Sequence, residues 1–120
     1  MNVDAAVLPE RPPRLLPGQK DLPSDKKPET QPPYAVIVFN DHEHSFPFVI
    51  ETFMKVFGYD LEKSRSLAVE IHNQGKGIVW SGSREVAELK RDQIRSVGPD
   101  FYATRKVDFP LGVTIEPLPG

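Results

Sequence analysis

The side chains able to do chemistry gather in two short stretches. The first, Asn40-Asp41-His42-Glu43-His44-Ser45, is an unbroken run of hydrogen-bonding residues. The second is His72-Asn73-Gln74-Gly75-Lys76-Gly77, and together the two hold all three histidines of the chain. Amide, carboxylate and imidazole groups offer acceptors to a cation or ligands to a divalent metal. His42-x-His44 with Asp41, Glu43 and His72 is the candidate metal set. Alternating side chains on an extended segment point to opposite faces, so the pair is a poor chelate; no metal and no cofactor is expected. Asp41 and His72 form a conceivable acid–base pair, but no third group suggests a reaction. The chain has no cysteine, no nucleophile-elbow serine and no Rossmann glycine pattern. Gly75-Lys76-Gly77 lacks the spacing of a phosphate loop. No catalytic residue is assigned, and an enzyme is not expected. Asn40-Asp41 alone also reads as an Asx-type turn, and His72 alone as a histidine favoured by a helix C-terminus.

Regular elements must carry these stretches. Tyr34 to Phe39 is apolar on both faces and reads as a central, covered strand. Ser45 is a plausible N-cap with Pro47 in the first turn. Phe46, Val49, Ile50, Phe53, Met54 and Phe57 then form one apolar stripe of a helix that Gly58 stops. Asp60 caps a second helix, with Leu61, Ser64, Ala68, Ile71 and His72 on one side and Leu67 beside them, ending at Gly75. Lys76 to Ser81 is a short strand. Ser83 caps a third helix, Arg84 to about Val97, with Val86, Leu89, Ile94 and Val97 facing inward. Val113 to Glu116 is a last strand, and residues 100–111 carry no clear pattern. The fold class is α+β: a small two-layer β-α-α-β-α-β domain, its three-stranded antiparallel sheet covered by helices on one face.

Composition bounds the rest. Residues 1–33 hold eight of the 13 prolines and mixed charges without period, which predicts a disordered, Pro-rich extension ahead of a domain at 34–120. Net charge is −2 and no basic stripe is visible, so nucleic acid is not an expected partner. No apolar run approaches the roughly 18 residues of a membrane span, and the start lacks a signal-peptide pattern, so the expected location is cytoplasmic, away from membranes.

Taken together, Val38-Phe39-Asn40-Asp41, the helix starting near Phe46, His72-x-Gln74-Gly75-Lys76 and Glu85-Val86-Ala87-Glu88-x-Lys90 resemble the ClpS adaptors. Those are small cytoplasmic proteins that recognise N-end-rule degrons and deliver them to the AAA+ unfoldase of the Clp protease. The resemblance covers about residues 34–116. It implies that Asn40 and His72 bind the α-amino group of a substrate. A third ligand, a carboxylate in the family, falls on His42, with Asp41 and Glu43 as neighbours able to replace it. It implies a side-chain pocket at Val38, His44, Phe46, Val49, Ala68, Ile71 and Leu111, where the family usually has methionine at the positions of Phe46 and Ala68. It places unfoldase contacts at Glu85 and Lys90. The implied partners are a ClpA- or ClpC-like AAA+ unfoldase and proteins beginning with Leu, Phe, Tyr or Trp.

The chemistry fits such a role. A free α-ammonium has three donors and needs about three acceptors when held away from water. Leaving one donor unpaired costs about 1–3 kcal/mol, which is also how an acetylated terminus is refused. Burying a Leu or Phe side chain contributes about 1.5–3 kcal/mol. A β-branched first residue carries its bulk where a narrow mouth would clash. His42 gives only a neutral acceptor where the family has a charge, so a scaffold that binds the unfoldase or another protein without reading termini is the alternative.

Overall fold

The computed structural model describes residues 31–119, so residues 1–30 of the expected Pro-rich extension lie outside the described residues. Among the described residues, three strands and three helices follow in the expected order: β1 (Tyr34–Phe39), α1 (Phe46–Phe57), α2 (Leu61–Gln74), β2 (Lys76–Gly82), α3 (Arg84–Arg95) and β3 (Val113–Pro117). The sheet has the order β2-β1-β3, antiparallel at both pairings. β1 is central and its Ala35, Val36, Ile37 and Val38 are all buried, as an apolar run without alternation requires. The β1–β2 register is irregular at Val79, whose carbonyl accepts from the Tyr59 hydroxyl at 2.7 Å.

Each helix starts where a side chain can take an orphan backbone donor. Ser45 accepts from Phe48 N–H, Asp60 from Lys63 N–H and Ser83 from Val86 N–H. Gly58 and Gly75 end α1 and α2 at φ 72° and 89°, a left-handed conformation that a Cβ disfavours. The core joins Val36 and Val38 of β1, Val79 of β2 and Val113 of β3 to Phe48, Phe53, Ile71, Ala87 and Ile94 from the helices and Leu111 from the last loop.

Three sequence expectations need correction. The buried face of α1 is Phe48, Thr52 and Phe53, while Phe46 and Met54 are exposed. Thr52 can sit in the core because its hydroxyl donates to the Phe48 carbonyl at 2.8 Å within the same helix, so hydropathy alone misplaced the stripe. In α3, Val86 and Leu89 face outward at 37% and 51% exposure, and the small Ala87 together with Ile94 turns inward. Ala87 lets α3 approach the layer beneath it closely, so the larger apolar residues are not the packed ones. α3 also stops at Arg95 rather than Val97. Residues 96–112 form no helix or strand, yet Val107 and Leu111 are buried there and Asp100 is only 6% exposed.

Candidate functional site

Asn40 lies just past the end of β1, and its backbone N–H donates to the Gly75 carbonyl at 2.9 Å. That bond joins the first polar stretch to the end of α2, and so to His72. Between them opens a hollow of about 260 Å³ lined by Val38, Asn40, Asp41, His42, His44, Phe46, Val49, Ala68, Ile71, His72, Leu111 and also Phe39. The structure therefore brings together every residue that the sequence reading assigned to the amino-group clamp and the side-chain pocket. Phe39 is the addition: it ends the strand and faces away from the core, so the pattern of buried residues gave no sign of it.

One side of the hollow is heavily cross-tied. Residues 42–44 bend rather than extend. Asp41 Oδ1 accepts from the backbone N–H of Glu43 at 2.9 Å and of His44 at 2.7 Å. Its Oδ2 meets His44 Nδ1 at 2.7 Å. Burial pushes the Asp41 carboxyl up, but the His44 backbone, the His44 ring and the Glu43 backbone outweigh it and hold the group below its ordinary value. Asp41 lines the hollow, yet its oxygens serve the turn. These bonds shape the turn at the position that the sequence reading offered as a replacement for the missing acid. Glu43 lies on a neighbouring hollow with His42, His44, Ser45, Tyr102, Ala103, Thr104 and Arg105, so it does not fill the gap either. His42 itself is exposed at the rim.

His44 is the most enclosed polar group here, its side chain only 2% exposed. Its Nε2 lies 3.0 Å from the Phe109 carbonyl, and its ring stacks on Phe48 at 5.2 Å and meets the Phe109 ring edge-on at 5.0 Å. Asp100 fixes the same side at a second point. Its carboxylate accepts from Ser45 N–H at 2.7 Å, Ser45 Oγ at 3.0 Å, Tyr102 N–H at 2.9 Å and Ala103 N–H at 3.2 Å. Asp100 carries no expectation from sequence, and Phe109-Pro110 reads only as strand, loop or docking segment, because both sit in the stretch without periodicity. Only the Gly98-Pro99-Asp100 turn signature hinted at an anchored loop.

The opposite side is held by packing. His72 is exposed at the C-terminal end of α2, its ring edge against the Phe46 ring at 5.5 Å. Val49, Ala68 and Ile71 form the apolar lining below it, and the small Ala68 leaves room that Phe46 closes from the rim. The hollow thus offers an amide and imidazoles at its mouth and aliphatic groups within, the elements of a site for a cation carrying an apolar side chain. Among the described residues no three His, Cys, Asp or Glu side chains converge as a metal would require.

The two positions implied as unfoldase contacts lie on α3, apart from the hollow. Glu85 is exposed in the first turn. Lys90 is part-buried: its ammonium donates to the Val56 carbonyl at 2.8 Å, near the end of α1, and lies 5.8 Å from the Phe57 ring centre. Its charge therefore serves a helix end as well as a surface.

A family model described as ATP-dependent Clp protease adaptor protein ClpS matches residues 29–114. The ATP-dependent Clp protease adapter protein ClpS of Desulforapulum autotrophicum is 38% identical over 92 residues, covering 77% of this chain and 83% of the relative. That of Pectobacterium carotovorum is 39% identical over 100 residues, covering 81% and 89%. Among solved structures, Agrobacterium tumefaciens ClpS2 bound to L-phenylalaninamide is similar with a TM-score of 0.60 and 26% identity, covering 74% of this chain and all of that one.

Proposed function

Since this chain belongs to the ClpS family of Clp protease adaptors, we propose that it binds proteins through a free amino-terminal Leu, Phe, Tyr or Trp and delivers them to a Clp-type AAA+ unfoldase. The observation that carries this reading is one hollow that has both Asn40 and His72 at its mouth and Val38, Val49, Ala68, Ile71 and Leu111 within. Asn40 and His72 supply two acceptors to an α-ammonium, and His42 stands where a third belongs. The volume of about 260 Å³ falls below the roughly 300–1,000 Å³ of sites for drug-sized ligands and suits a single residue. The related Agrobacterium protein was solved with L-phenylalaninamide, an amino-acid amide with a free amine and one aromatic side chain.

Delivery requires a second surface. The outer face of α3, with Glu85 charged and Val86 and Leu89 apolar and exposed, is the surface we assign to the ClpA- or ClpC-like unfoldase. In this role the chain is an adaptor and not an enzyme, and it works in the cytoplasm beside its unfoldase. Among the described residues no helix is long and apolar enough to cross a membrane.

Fluorescence anisotropy with Leu- and Phe-initiated peptides, each free and acetylated, tests the reading. Free peptides are expected to bind and acetylated ones to be refused. Asn40→Ala is expected to weaken binding about tenfold or more, by leaving an ammonium donor unpaired. Equal binding of free and acetylated peptides would favour the second reading, a protein-interaction scaffold that does not read termini. The specific support for that alternative is His42, which brings no fixed negative charge to the mouth.

A further inference from the structure

We propose that His44 is a positioning residue for the side-chain pocket: by holding the Phe109 carbonyl it fixes Leu111, and the position of Leu111 sets which first residues fit. The inference rests on the reading of the hollow as an amino-terminus site, and it goes beyond that reading by naming what makes the pocket selective.

The wall segment Phe109-Pro110-Leu111-Gly112 belongs to no helix or strand, so nothing in a regular ladder places Leu111. Two ties do. At one end the Gly112 carbonyl accepts from Phe39 N–H at 2.9 Å, an extension of the β1–β3 pairing. At the other the Phe109 carbonyl meets His44 Nε2 at 3.0 Å. Pro110 between them has a fixed φ, so the segment has little freedom once both carbonyls are held. Leu111, 4% exposed, then projects into the hollow.

His44 can act this way because it is itself fixed. Asp41 Oδ2 faces Nδ1 at 2.7 Å, the Phe48 ring stacks on one face, and the side chain is almost fully enclosed. A carbonyl oxygen only accepts, so Nε2 bonds the Phe109 carbonyl in the tautomer that carries its proton there. The same side chain also borders the neighbouring hollow, so a shift of His44 moves a wall that two cavities share.

The two contacts can be separated by substitution. The amide nitrogen of Gln reaches about where Nε2 stands, that of Asn about where Nδ1 stands, and Phe keeps only the ring. The full-length chain and its H44Q, H44N and H44F variants are titrated by fluorescence anisotropy with free Phe-, Leu- and Val-initiated peptides and an acetylated Phe peptide. H44Q is expected to keep the Phe-to-Val preference of the unaltered chain within about twofold. H44N and H44F are expected to reduce it by a factor of about 2–10, the worth of one hydrogen bond. All four are expected to keep refusing the acetylated peptide. A ratio of affinities on one preparation does not depend on the folded fraction, so partial unfolding cannot imitate the result. An unchanged preference in H44N and H44F, with the free amine still required, overturns the role of His44 and leaves the terminus reading standing. Equal binding of free and acetylated peptides by the unaltered chain overturns both.

Discussion

The two banks of the hollow are built differently. On the bank formed by residues 40–45 and 100–112, Asp41 and Asp100 draw backbone and side-chain donors onto carboxylates, and His44 bridges to Phe109. On the α2 bank, the His72 and Phe46 rings meet at a steep angle, and the Asn40 backbone N–H ties the two banks by donating to the Gly75 carbonyl. Charge-assisted bonds at 2.7 Å fix geometry closely, whereas an edge contact between rings tolerates rotation. The first bank therefore holds a shape, and the second presents an imidazole with freedom to turn. Under the proposed function, the first bank fixes the outline of the pocket and the Asn40 acceptor, and His72 on the second bank supplies the acceptor free to turn toward an amine.

That division can be broken most forcefully at Asp100. Asp100→Ala removes a buried acceptor from four donors and is expected to lower stability by about 2–3 kcal/mol, read as a drop in Tm by circular dichroism. An unchanged Tm would show that the first bank does not depend on this carboxylate. His72→Ala is expected to leave Tm in place and weaken every free peptide about tenfold, with the ratio between Phe and Val peptides preserved. A change in that ratio would erase the distinction between the banks.

Within α2 itself, the Ser64 hydroxyl is buried and has no partner among the described residues. Ser64→Ala is expected to raise stability by up to about 1 kcal/mol in urea unfolding; a loss of stability would mean that the hydroxyl is satisfied in solution. The smallest effect belongs to Asp41, in a part-exposed turn where solvent screens the gain. Its folded value lies below the ordinary 3.8, so its contribution is present above that pH and is lost as pH falls further through the depressed folded value. Acid titration of Tm with Asp41→Asn as control reads it: the variant is expected to lose less stability on acidification, and identical acid curves would contradict the shift.

Much of the fold was legible because local rules suffice for it. The Ser45, Asp60 and Ser83 caps, the glycine stops and the apolar run of β1 each act within a few residues. The errors arose where packing overrides hydropathy. Thr52 is buried because its own helix satisfies its hydroxyl, and Val86 and Leu89 are exposed because the small Ala87 allows the close approach. Asp41 reads from sequence as a possible amino-group ligand beside Asn40; its engagement with His44 appears only in three dimensions.

By itself, then, the sequence determined the order of strands and helices, the starts of the helices, the ends of α1 and α2, and the residue types gathered around Asn40 and His72, since propensity, capping and periodicity are short-range. The tertiary structure alone decided that Leu111 of the 96–112 loop walls the hollow, that Asp100 and His44 anchor that loop, and which faces of α1 and α3 are buried. Those outcomes depend on contacts between residues far apart in the chain, whose energies no local pattern encodes.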